Sequence, residues 1–316
     1  MTRATTSTAA SDRPTTDRLA ALRGVGLSWQ PSGQAALRGP LLRLFEDCDR
    51  AFTRLASLWD AEEERHPASL PAQRLEDVGY LRSFPHQATF VARLNPEEQN
   101  IDAFLDGPVT DGDGRVELTG LAPVTEVLTP AACYHLYSAH QGEALDRALF
   151  LTTRNTCFRQ ETHHVPLRRL SSFTMREIVC LGTTAETVDF LGRARSALDL
   201  FFAQIDLDVE WLAATDPFFR PEANPRHLLQ RLQPVKHEAT YGGDLAIASV
   251  NRHHDHFGAG FGLSREGRPA DSCCVAFGLE RWLFALTDRH GPDPASWPCL
   301  EDAATTVLAK LRGGTE

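Results

Sequence analysis

Long apolar runs are missing from this chain of 316 residues. No stretch of about 18 consecutive apolar residues occurs, so no membrane-spanning helix is expected. The segment from Met1 to Thr16 is rich in Thr, Ser and Ala and has no apolar centre, which argues against a secretory signal. An excess of positive charge is missing as well: 32 Lys and Arg stand against 42 Asp and Glu, for a formal charge of −10. A strongly basic nucleic-acid-binding face is therefore not expected. Dense cysteine spacing is absent too. Seven cysteines, Cys48, Cys133, Cys157, Cys180, Cys273, Cys274 and Cys299, are scattered along the chain. An odd, dispersed set reads as reduced thiols in a cytoplasmic setting, some of them available to a metal. Internal repeats and mid-chain linkers are lacking. What remains is an ordinary globular balance, 42% hydrophobic and 23% charged, in a chain long enough to bury a sizeable core.

The first ~25 residues contain no aromatic and few β-branched apolar side chains, and are expected to be a disordered tail. Residues 26–316 are then the folded unit. Leu41, Phe45, Cys48, Phe52, Leu55 and Trp59 recur at spacings of three and four, which predicts one helix over 40–64. No second long segment matches its period, so no antiparallel coiled-coil arm is expected. Val78–Leu94 reads as strand material broken at Pro85. Asp111–Gly114 reads as a turn before a short strand at Arg115–Leu118. A helix follows over 184–205, with Thr184 as a plausible N-cap. Strands at 234–241 and 245–251 flank Gly242-Gly243-Asp244, a hairpin signature. Helices at 278–289 and 300–311 close the chain. Hairpin-joined strands with inserted helices predict an α+β fold, an antiparallel sheet flanked by helices.

Four constellations carry chemistry. The first is Cys157-Phe-Arg-Gln-Glu161, a polar loop, then Arg169 to Glu177. Two strands joined by that loop would offer a guanidinium, a carboxylate and a ring on one surface, the groups that nucleotide activation needs. A surface hairpin with ordinary charges is the plainer alternative. The second is Cys274 to Trp282, an apolar strand turning at Gly278 into a helix whose first turn holds Arg281. That cation would face a phosphate, or else simply be solvated. The third is Cys133, Glu177 and Cys274, far apart in sequence. Two thiolates and a carboxylate would suit a zinc ion with an open position, while a free Cys is ordinarily a small buried hydrophobe. The fourth is His253-His254-Asp255-His256, which follows a predicted strand. It would serve a metal hydrolase, or be a polar loop. His163-His164 lies in the loop after Glu161.

Arg-x-Glu, a loop and Arg-x-x-x-Phe-x-x-x-Glu resemble motif 2 of class II aminoacyl-tRNA synthetases, seryl enzymes most of all. Cys274 to Trp282 resembles motif 3, with Ala276 in place of the usual first glycine. Gly79 to Pro85 resembles motif 1, whose proline lies at a dimer interface. The likeness covers about 75–290. Together with Asp216–Phe219 and Ala248–Gly258, these motifs most resemble the amino acid:[carrier protein] ligases, shortened relatives of zinc-dependent seryl-tRNA synthetases. Cys133 falls where ordinary seryl enzymes place a Thr-x-Glu.

The resemblance implies a class II synthetase-type fold and a role for each matching position. Cys133, Glu177 and Cys274 would hold Zn²⁺, whose open position takes the substrate amine. Arg159 would meet the α-phosphate and Glu161 the adenine amine. Arg169 and Leu170 would line the nucleotide, and Phe173 would stack on it. Arg281 would hold the terminal phosphates. Glu238, Ala248, Ser249 and Asn251 would lie near ATP, Mg²⁺ and substrate. Cys273 competes with Cys274 as the ligand. The resemblance further implies a homodimer that activates a small amino acid, glycine or alanine. The acceptor would be the phosphopantetheine thiol of a carrier protein. The missing arm and the acidic charge argue against tRNA. Delivery to tRNA or to a small molecule, and a non-catalytic paralogue, are the alternatives.

Overall fold

The computed structural model describes residues 16–313. Its centre is a seven-stranded sheet: β1 (Glu62–Glu64), β2 (Leu149–Phe158), β3 (Ser172–Gly182), β4 (Val209–Ala214), β5 (Lys236–Tyr241), β6 (Leu245–His254) and β7 (Asp271–Gly278). The spatial order is β4-β5-β6-β7-β3-β2-β1. All neighbours are antiparallel except β1, which runs parallel to β2 at the edge. The fold is α+β, as the alternation of hairpins and helices predicts.

Strand alternation sorts the sheet's side chains into two cores. From β3, Ile178 and Cys180 enter one core while Val179 and Leu181 enter the other. From β7, Cys273, Val275 and Phe277 go to the first and Cys274 to the second. The first core packs under helices Gly39–Ala56, Thr184–Gln204, Leu279–His290 and Leu300–Gly313. Phe52 stacks on Phe277 with ring centres 4.0 Å apart and meets Trp282 at 4.8 Å. Burying each such ring stabilises by roughly 1.5–3 kcal/mol. The Trp282 indole N–H donates to the Ile247 carbonyl at 2.9 Å, so its polar edge is satisfied. The second core is smaller and lies under the short helices Cys133–Ala139 and His256–Phe261.

The observed helices Thr184–Gln204, Leu279–His290 and Leu300–Gly313 and strands β5 and β6 match their predicted ranges closely. Gly242 and Gly243, both at positive φ (62° and 83°), make the turn between those strands. Five expectations differ. The helix predicted to Glu64 ends at Ala56, with one 3-10 turn to Trp59. Asp60 at φ 51° stops it, and Glu63 is drawn into the sheet by an ion pair with Arg176 at 2.8 Å. Within Val78–Leu94 only Thr89–Phe90 is strand; Gly79 at φ 64° opens a helix at Tyr80–Ser83. Its apolar spacing serves packing, since Val78 and Tyr80 are buried in the second core. No strand forms at Arg115–Leu118; Val116 makes one bridge to Thr110, and Val116 and Leu118 are half-exposed, outside both cores. The N-cap is Thr183, one residue before the predicted Thr184, in a capping box with Glu186. Finally, Thr16–Gly24 is helical where the tail was expected, with Leu22 buried. Residues 1–15 of that predicted tail lie outside the described residues.

Candidate active site

Two cavities meet on the sheet face that carries Glu177 and Cys274. The first is walled by β3, β5, β6 and the loop from Arg159 to Ser171, the second by β3, β6, β7 and the Cys133–Ala139 helix. They share Arg159, Met175, Lys236, Ser249 and Ala276.

The first cavity collects Arg159, Glu161, Arg169, Leu170, Phe173, Glu238, Ala248, Ser249 and Arg281. Arg159 follows the end of β2. Its Nε donates to the Pro130 carbonyl at 3.0 Å, and its guanidinium lies 5.1 Å from the centre of the Phe173 ring. Glu161 pairs with Arg169 at 2.8 Å. Arg281, in the first turn of its helix, is aimed by two backbone carbonyls. Nε donates to Arg168 and Nη1 to Ala246, each at 3.0 Å. Burial, with Arg159 nearby, lowers its pKa to about 10. A cation fixed this way is set to receive an anion, because charge in a buried site is costly until it is paired.

The second cavity holds Cys133, Glu177 and Cys274, whose ligand atoms lie within 4.8 Å of one another. Glu177 Oε1 accepts from the backbone N–H groups of Ala132 at 2.8 Å and Cys133 at 3.1 Å. Asn251 Nδ2 donates to Cys274 Sγ at 3.3 Å and to Ser249 Oγ at 3.0 Å. The hydrogen bond to Cys274, burial and the Glu177 charge push the Cys133 thiol well above the usual range. Cys274 is lowered by its bond from Cys133, yet burial and Glu177 leave it raised overall. Two thiolates and a carboxylate this close repel one another as anions. A divalent cation reverses that balance, so the donor set fits zinc. Cys273 points the other way, into the first core beside Cys180, whereas Cys274 groups with Cys133 and Glu177.

The histidine tract does not gather. Among the described residues, Cys133, Glu177 and Cys274 are the one group of three able to hold a metal. His253, His254 and His256 line the second cavity separately. His253 Nδ1 lies 3.3 Å from the Tyr137 hydroxyl and 3.2 Å from Ser272 Oγ, and burial pushes its pKa down to about 3.

Sequence reasoning missed Lys236, Asp216 and Glu280. Lys236 Nζ sits 3.2 Å from Asp216 and 3.3 Å from Glu238, in the wall common to both cavities. It lies two residues before Glu238 on one predicted strand, so alternation placed both on one face. Asp216 was visible only as part of the Asp216–Phe219 stretch. Glu280 is buried; both its carboxylate oxygens accept from the Thr174 N–H at 2.9 Å, and burial raises its pKa to about 7. No spacing signal distinguishes it from an ordinary first-turn acid.

No protein-family model matches the chain. It is 34% identical over 260 residues to amino acid–[acyl-carrier-protein] ligase 1 of Bradyrhizobium diazoefficiens, covering 78% of each chain. Ligase 2 of that organism is also 34% identical, over 76% of this chain and 73% of its own. A type-2 serine–tRNA ligase from Methanopyrus kandleri is 23% identical over 84% of this chain, but only 55% of that protein is covered. In three dimensions, the M. kandleri seryl-tRNA synthetase solved with A. aeolicus tRNASec superposes with a TM-score of 0.74 at 20% identity, over 98% of this chain and 63% of that one. The Pyrococcus horikoshii seryl-tRNA synthetase solved with ATP gives 0.64 at 14% identity, over 93% and 62%. With a class II aminoacyl-tRNA-synthetase-type fold and 34% identity to two such ligases over about three quarters of its length, this chain belongs to the amino acid–[acyl-carrier-protein] ligase family.

Proposed function

We propose that this enzyme condenses glycine or alanine with ATP to give an aminoacyl adenylate, then passes the aminoacyl group to the phosphopantetheine thiol of a carrier protein. One observation carries the reading. The cavity of fixed cations and the cavity of thiols and carboxylate adjoin at a common wall. A substrate carboxylate there meets an α-phosphate from the other side.

In this reading ATP lies in the first cavity, with Phe173 against the base, Glu161 and the backbone at Arg169 and Leu170 along its edge, and Arg281 on the terminal phosphates. Glu238, beside Ala248 and Ser249, faces the phosphates and their Mg²⁺. The amino acid lies in the second cavity, between Asn251 and the metal-ligand set. Cys133, Glu177 and Cys274 would hold zinc, which when bound keeps the substrate amine free of its proton. Arg159 neutralises charge that grows on the α-phosphate as the carboxylate oxygen attacks and pyrophosphate leaves. The carrier thiolate then attacks the carbonyl carbon, forming the thioester and expelling AMP. Met175, Tyr134, Phe218 and Ala276 line the cavity that holds the ligand set.

ATP–pyrophosphate exchange across the proteinogenic amino acids tests the first half; no exchange with glycine, alanine or serine would sink it. Labelled amino acid offered to holo carrier protein and to tRNA tests the second half. Transfer to tRNA alone would favour the synthetase reading that the serine–tRNA ligase relatives raise. No helix among the described residues is long and apolar enough to cross a membrane. A cytoplasmic homodimer belongs to the same proposal, with exposed apolar side chains at Phe90, Leu118 and Leu121 following the Pro85 motif.

A further inference from the structure

We propose that residues 16–38 are a positioning element of the nucleotide cavity, holding the loop between Arg159 and Ser171 in its binding shape. The inference rests on the nucleotide role given above to that loop. The element is the Thr16–Gly24 helix followed by a hairpin of strands Leu27–Gln30 and Gln34–Leu37.

Four observations support it. First, the hairpin turn grips the loop's end. Gly33 carbonyl oxygen accepts from Ser171 N at 3.1 Å and from Ser171 Oγ at 3.2 Å. Second, Gly33 gives up its side chain to the loop. At φ +85° a side chain is strained, and a Cβ there would lie 2.2 Å from the His164 ring, which would have to shift. Third, the helix reaches the same loop through the Leu279–His290 helix. The guanidinium of Arg18 lies 4.0 Å from the centre of the Phe284 ring, and that of Arg168 lies 4.9 Å from it. Phe284 is three residues, about one turn, past Arg281, which itself donates to the Arg168 carbonyl. Arg18, Arg168 and Arg281 are thus linked through one ring and one carbonyl. Fourth, the loop's apex is held in an unusual backbone state. Leu167 is fully buried at φ 59° and shares a core with Leu22 and Leu27. A leucine there persists only where its surroundings over-determine it. The reciprocal bonds between Val165 and Arg169, each 2.9 Å, close the loop below that apex.

The consequence is a loop shaped before ATP arrives. Arg168 and Arg169 follow Leu167 directly, so the plug at 167 sets where both enter the cavity. Ordering cost is then met in folding rather than in binding, which tightens the complex.

The test uses the full chain carrying Gly33→Ala or Arg18→Ala. Backbone amide exchange of residues 163–171 is followed by mass spectrometry, and KM for ATP and for glycine is measured in pyrophosphate exchange. In Gly33→Ala the loop amides should exchange ~10-fold faster or more while β3 and β7 stay protected. KM for ATP should rise ~5-fold or more with KM for glycine unchanged. Arg18→Ala should move both in the same direction by less. Wild-type loop exchange and wild-type KM for ATP in both variants would overturn the proposal. So would loosening shared equally by loop and central strands, which marks general destabilisation. If the wild type exchanges pyrophosphate with no amino acid, the proposed reaction fails, and loop exchange with ATP affinity by calorimetry still decides this inference.

Discussion

The two cavities solve the burial of charge in opposite ways. In the nucleotide cavity every cation is already positioned by protein atoms: Arg281 by two carbonyls, Arg159 by Pro130 and the Phe173 ring, Arg169 by Glu161. In the neighbouring cavity three acidic donors crowd within 4.8 Å, and burial with the Glu177 charge leaves both thiols raised. The first site therefore holds its shape through the fold alone, while the second takes its working charge state only with a cation. The contrast teaches that the sites should fail independently.

Single substitutions on each side test that independence with the largest expected effects. Cys133→Ala or Cys274→Ala should abolish stoichiometric zinc, read by elemental analysis. Exchange should drop at least about a hundredfold, while ATP affinity is kept. Arg281→Ala should do the reverse: full zinc, and exchange lowered by about 10²–10³-fold through the loss of a fixed phosphate contact. Arg281→Lys should recover little, because a single ammonium cannot meet two carbonyls as the guanidinium fork does. Zinc retained in Cys133→Ala would break the comparison and return the histidine tract to consideration.

The wall between the cavities offers a subtler probe. Ala276 lies on the same β7 face as Cys274 and lines both spaces. Ala276→Gly should widen the amino-acid end and raise alanine or serine use relative to glycine by about 10-fold, the scale of one methyl group in a pocket. Ala276→Val should narrow it to glycine alone. Unchanged preference ratios in pyrophosphate exchange would place the selectivity elsewhere in the cavity.

How far the sequence reaches follows the same division. Periodic elements with ordinary stops, such as Thr184–Gln204 and the β5–β6 hairpin, are legible because one face is buried and the period shows it. Part of the cavity lining was legible through motif likeness, with Lys236, Asp216 and Glu280 missed, and Cys133, Glu177 and Cys274 do converge. Their convergence itself lies in strand pairing, Ala276 opposite Glu177 and Asn251 opposite Cys274, which no local pattern encodes. Val78–Leu94 misled because Gly79 at positive φ and the burial of Tyr80 override local alternation. The Thr16–Gly24 helix was invisible because its attachments are Arg18 on a distant ring and Leu22 in a shared core, both tertiary.

Glu280 gives the smallest and cleanest test of how the nucleotide cavity holds charge. It is an acid there whose oxygens both meet a backbone N–H, and burial raises its pKa from 4.5 to about 7 even with Arg281 nearby. A raised carboxylate binds its proton more tightly in the folded chain than in the unfolded one. Its contribution is therefore fully present below about pH 4.5 and is lost as pH rises through 7. The displacement corresponds to roughly 3 kcal/mol at most. Glu280→Gln keeps an acceptor for the Thr174 N–H but removes the ionisation. Denaturant unfolding of both proteins from pH 4 to pH 8 should show the variant gaining on the wild type as pH rises, by up to about 3 kcal/mol, with the change centred between pH 4.5 and 7. Taking the difference between the proteins cancels every other titrating group. A difference that stays flat across that range would mean that the carboxylate is stabilised as fully by protein dipoles as the cations facing it, and the contrast between the cavities would then rest on the metal-ligand set alone.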